Sequence, residues 1–220
     1  MTRSLALLAA LAAAAAVQAQ PVSIPLGAQG RWEALQYRNI PPHEIRFSPA
    51  GLELTVDGSA MPLVYPLEAA ATVQSVRVRG RIVEGSLAMP PDKQGERGFD
   101  DYVFRLGLVE SGERTLGFVQ RQVAAAWVRK LFDLAPKGSG ISRIYFLSVG
   151  AEKAHVGRER VHPLSELIVE KVVALPGADG RFEFTHALER PLRALAVWLS
   201  ADGDDTKSRY KLLVESIELR

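Results

Sequence analysis

The chain has 220 residues, no cysteine, and 27 basic residues against 25 acidic ones. That balance excludes a global attraction to nucleic acid. The missing thiols exclude disulfides, a lipid-attachment cysteine and a cysteine nucleophile, so stability has to come from core burial. At the N-terminus, Arg3 precedes an apolar run from Leu5 to Val17, and Val17-Gln18-Ala19 leads into Gln20-Pro21. At ~1.5 Å per residue the run falls short of the ~30 Å hydrocarbon core that a spanning helix must cross. Small residues at the −3 and −1 positions suit signal peptidase. Residues 1–19 are therefore expected to be a signal peptide and residues 20–220 a single exported domain, periplasmic or extracellular, with no membrane span in the mature chain.

Strand-like alternation starts at residue 45. Ile45 and Phe47 flank Arg46, and Leu52, Leu54 and Val56 alternate with Glu53 and Thr55 before the Asp57-Gly58 turn signal. Val76, Val78 and Ile82 are separated by Arg77, Arg79 and Arg81, and Gly80 on the apolar side leaves room for a bulge or a close neighbour. Residues 85–98, with Pro90-Pro91, read as a long exposed loop. Tyr102, Phe104, Leu106 and Leu108 then form one face of a further strand. Val119, Val123, Trp127 and Leu131 are spaced by four, which predicts a helix near 118–134 that ends at Pro136 and covers a sheet end or edge. Beyond it, residues 144–149, 167–175, 182–184, 192–199 and 211–219 are short segments, most of them rich in β-branched or aromatic residues. Turns fall between them at Pro176-Gly177, Asp179-Gly180 and Asp202-Gly203. The pattern predicts an all-β fold, an antiparallel β-sandwich or jelly roll of about nine or ten strands with one inserted helix.

Among candidate chemical groups, Arg77, Arg79 and Arg81 share one strand face at intervals of ~6.5–7 Å, and Arg105 is a candidate to join them from a neighbouring strand. Such a face suits carboxylates, sulfates or phosphates, whereas cross-strand glutamates would make it an ordinary solvated surface. Asp100 and Asp101 stand just before a strand and form a candidate acid and base pair for glycoside cleavage. Asp202, Asp204 and Asp205 fit turn chemistry better than a calcium loop, because no glutamate follows at the required spacing. His43, His155, His162 and His186 are scattered without metal-ligand spacing, so neither a metal nor another cofactor is implied. Residues 112–160 hold nine Lys or Arg against four acids, whereas 161–205 hold four against eight, so the two regions differ in local charge.

Gly51-Leu52-Glu53-Leu54, Phe99-Asp100-Asp101-Tyr102-Val103-Phe104-Arg105 and Leu195-Ala196-Val197-Trp198-Leu199 resemble secreted bacterial proteins with a jelly-roll domain of the galactose-binding or lectin-like kind. The resemblance spans roughly residues 32–219 and implies a β-sandwich and carbohydrate binding, without transferring any binding residue. The leading expectation is a non-catalytic module for a glycan, an anionic one, bound through the arginine face. A polysaccharide hydrolase or lyase using Asp100 and Asp101, and an envelope assembly or scaffolding protein, stand as alternatives.

Overall fold

A computed structural model describes residues 21–163 and 165–220, so the segment expected to be a signal peptide lies outside the described residues. In chain order the elements are β1 (Val22–Ser23), β2 (Glu33–Ala34), β3 (Glu44–Ser48), β4 (Gly51–Asp57), β5 (Leu63–Ser86), β6 (Phe104–Gly112), α1 (Phe118–Val123), α2 (Ala126–Asp133), β7 (Gly140–Val149), β8 (Glu159–His162), β9 (Ser165–Ala174), β10 (Arg181–Ser200) and β11 (Arg209–Leu219). The fold is an all-β sandwich with a small helical insertion. Its strands form one hydrogen-bonded path, β3-β4-β11-β5-β10-β6-β7-β9-β8, with β1 on β11 and β2 on β5.

The two long strands make this path into two layers. Residues 181–187 of β10 pair with 75–81 of β5, and residues 192–199 pair with 63–73 after a register slip between Ala187 and Leu192. Pro191 lies within that slip, where the missing N–H costs no ladder bond. The first layer is β3, β4, β11 and the adjoining parts of β5 and β10. The second is the remaining parts of β5 and β10 followed by β6, β7, β9 and β8. Phe104 of β6 and Phe182 of β10 do not pair in the sheet, yet their rings stand 5.6 Å apart across the interior. The period-two residues fill that interior: Leu52, Leu54, Val56, Val76, Val78, Phe104, Leu106 and Leu108 are all buried in one cluster. Gly80 is also a close approach, since a Cβ there would come within 2.6 Å of the Phe182 ring.

Three features differ from the sequence expectation. Among the described residues there are eleven strands, because β1 and β2 are two residues long and too short to show a period. The pairing is not wholly antiparallel: the chain leaves β7, lays β8 one place further out, and returns with β9 between them, parallel to β7. The predicted single helix is two, separated by Ala124 and Ala125 in extended conformation. That break lets α2 turn onto the outer face of the second layer. There Trp127 stands edge-on to Trp198 at 5.7 Å and to Tyr37 at 5.9 Å, and Leu131 is buried. α1 buries nothing, so Val119 and Val123 are not part of the packed stripe.

Leu106→Ala should therefore lower unfolding free energy by about 2–5 kcal/mol. Val123→Ala, at a side chain 81% exposed, should change it by no more than about 0.5 kcal/mol. Denaturant titration of both variants checks the pair, and equal losses would contradict the placement of α1 outside the core.

Candidate functional site

β5 carries Arg77, Arg79 and Arg81 on the outer face of the first layer, between β10 and β11. Each meets a cross-strand partner. Arg77 donates to Glu183 from Nε at 3.0 Å and from Nη2 at 2.6 Å, Arg79 donates to the Ser216 hydroxyl at 3.1 Å, and Arg81 stands 3.4 Å from Glu215. Arg105 does not join them. β6 pairs with residues 194–200 of β10, in the second layer, whereas the arginine stretch of β5 pairs with residues 181–187, in the first.

Arg105 instead meets Asp100 and Asp202 on the outer face of the second layer. Its side chain is only 12% exposed, lies over the Tyr102 ring at 4.2 Å, and stands 3.3 Å from the Asp100 carboxylate and 3.4 Å from that of Asp202. Asp100 is shared further. Arg160 of β8 donates to its Oδ1 at 2.7 Å, and His162 Nε2 lies 2.9 Å from its Oδ2. Arg160 also donates to Glu170 Oε1 of β9 at 2.5 Å and to the Gly95 carbonyl at 2.5 Å. Asp101, 1% exposed, accepts from the Asp205 and Thr206 backbone N–H groups and from the Thr206 hydroxyl. Asp205 in turn accepts from the Asp100 N–H at 3.0 Å. The loop before β6 and the turn before β11 thus brace each other.

Electrostatics follows from these contacts. Burial alone would raise the Asp100 carboxyl, but His162, Arg105 and Arg160 together hold it well below the usual carboxylate range. Asp202 moves the other way: burial outweighs the attraction of Arg105 and pushes its carboxyl up to about 7. His43 is buried between the Ser59 hydroxyl and the Ala201 carbonyl, and burial lowers it to about 4. Asp100 and Asp101 are committed to the hydrogen bonds that hold the fold, an arrangement unlike a general acid and base pair. Asp202, Asp204 and Asp205 do not converge on one point: Asp202 faces Arg105 and Asp205 faces the Asp100 N–H.

A second feature is an open cleft of about 360 Å³ beside the bulge of β10. Arg143, Tyr145, Glu159, Glu189, Arg190 and Leu192 line it. Glu110, 5% exposed, accepts from Arg143 at 2.9 Å and from Arg190 at 2.7 Å, fixing both guanidiniums at the rim. Tyr145 donates to Glu159 at 2.8 Å, and burial followed by that glutamate raises its phenol.

The sequence expectation left Arg160, Glu170, His162 and the cleft residues unassigned. Glu170 had a local signal, a carboxylate inside the apolar run of residues 167–175. The others depend on strand order. No protein-family model matches the chain, and no curated protein matches it. Among solved structures it is similar to a xylan-binding module CBM15, at 10% identity and a TM-score of 0.37, over 90% of this chain and 94% of that one. A likeness at that level transfers no residue and no ligand.

The two shifted groups predict opposite pH slopes. The native state disfavours ionised Asp202, so this group costs stability as pH rises from about 4 to about 7. It also disfavours protonated His43, so that group costs stability as pH falls from about 6.5 to about 4. In Asp202→Asn only the second slope remains. Relative to wild type the variant should gain roughly 2–4 kcal/mol between pH 4 and pH 7, read from urea titrations across that range. Parallel curves for the two proteins would contradict the buried placement of Asp202.

Proposed function

We propose that the protein is an exported, non-catalytic module that binds a glycan in the cleft beside the β10 bulge. Export rests on the sequence of residues 1–19, and binding rests on the composition of the cleft. Arg143 and Arg190 supply donors, Glu159 and Glu189 supply acceptors, and Leu188 supplies apolar surface against which a sugar ring can lie. Hydroxyl-rich ligands need donors and acceptors interleaved in this way. The volume lies at the small end of the ~300–1,000 Å³ range of small-ligand clefts and suits a short stretch of sugar.

Two arginines and two glutamates balance in charge, which favours a neutral glycan over a polyanion at this cleft. The expected anionic ligand rested on uncompensated arginines. On the β5 face Arg77 and Arg81 have glutamate partners and Arg79 has a hydroxyl, so that face is less suited to gripping an anion.

A second reading, an envelope assembly protein, draws on one observation. α1 presents Phe118, Val119 and Val123 at 73–81% exposure, an apolar surface that suits a protein partner.

Screening on an array of neutral and acidic oligosaccharides separates these readings. Binding should fall at least about tenfold in Arg143→Ala, Arg190→Ala and stay at wild-type strength in Arg79→Ala, Arg81→Ala. The reverse pattern would move the site to the β5 face, and no retained glycan would remove the proposal.

A further inference from the structure

Topology brings together three potential ligands that the sequence keeps far apart: Asp100 before β6, His162 at the end of β8 and Glu170 within β9. One ligand atom from each lies within 4.8 Å of the others. Glu170 is 4% exposed, and its Oε2 is buried without a hydrogen-bond partner. An orphaned buried carboxylate oxygen is costly, and its position beside an imidazole and a second carboxylate is where a cation would relieve that cost.

The second ring of contacts supports the same reading. Arg160 donates to Oδ1 of Asp100 and to Oε1 of Glu170. It therefore engages one oxygen of each carboxylate and fixes both groups, leaving Asp100 Oδ2 beside His162 and 3.3 Å from Arg105, and Glu170 Oε2 unbonded. Outer contacts of this kind orient metal ligands in known sites. A small depression beside Arg160 reaches Glu170.

We propose that Asp100, His162 and Glu170 form a site for a divalent transition-metal ion. One imidazole nitrogen and two carboxylate oxygens suit zinc or a neighbouring first-row ion, with water completing the coordination. The ion displaces the His162–Asp100 hydrogen bond, widens that 2.9 Å contact and sets the three ligand atoms about 3.4 Å apart, the separation that tetrahedral bonds of about 2.1 Å require. The inference is independent of the glycan reading, because none of its residues lines the cleft.

The untagged full-length protein, stripped with EDTA, is titrated with zinc chloride by calorimetry and melted with and without the ion. Wild type should bind one ion per chain and melt several degrees higher in its presence. Glu170→Gln keeps an amide oxygen for Arg160 and should fold, yet bind at least about tenfold more weakly. His162→Gln should behave likewise, and His186→Ala should bind as wild type does. Absence of binding up to 100-fold above the ~1 µM range, or unchanged binding in Glu170→Gln, would overturn the proposal.

Discussion

Arg105 and Arg160 are carried by their strands onto the outer face of the second layer and have to be neutralised there. A buried guanidinium without a counter-charge costs several kcal/mol, so the segments that deliver carboxylates to this face are not free to move. Asp100 reaches both arginines, and Asp202 reaches Arg105 from the turn before β11. Asp101 then ties the turn to the loop through the Thr206 N–H and hydroxyl. Gln94 extends the brace, donating to the Asp101 carbonyl and accepting from the Ala151 N–H. Four segments far apart in sequence are thereby held in one arrangement by charge burial, in a chain with no disulfide to do so.

The first layer treats its charges differently. Arg77 with Glu183 and Arg81 with Glu215 are pairs in which both side chains remain well exposed. Pairs of this kind contribute at most about 1 kcal/mol each and weaken with salt. They make the face soluble and register-consistent without fixing distant segments. The cleft lies between these regimes: its rim arginines are exposed or half-buried, but both are held by the buried carboxylate of Glu110. Such pre-positioning reduces the ordering cost of binding a ligand.

How much of this the sequence reveals depends on the range of the contact. Leu52, Leu54 and Val56, or Phe104, Leu106 and Leu108, announce buried strand faces through local alternation alone, and all six are in the core. The spacing of Val119, Val123, Trp127 and Leu131 also suggests one continuous helix, but nothing local reveals that the backbone extends at Ala124 and Ala125 to bring Trp127 onto Trp198. The site was legible in part. Asp100, Asp101 and Arg105 stand out as charged residues bordering a strand, but Asp100 and Asp101 find Arg160 and Thr206 60 and 105 residues away. The alternation of Arg77, Arg79 and Arg81 is plain in the sequence. Its compensation depends on β10 and β11 flanking β5, and only the completed topology provides that.

The central claim is that Asp100 is a structural hub whose charge is required by Arg105 and by the half-buried Arg160. Asp100→Asn keeps the shape of the side chain and removes the charge, leaving Arg160 and Arg105 under-compensated. Comparing its equilibrium unfolding in urea at pH 7 with that of wild type tests the claim most directly. The account predicts a loss of about 3–5 kcal/mol, the cost of breaking a buried ion pair from one side. A loss below about 1 kcal/mol, the scale of an exposed pair, would contradict it.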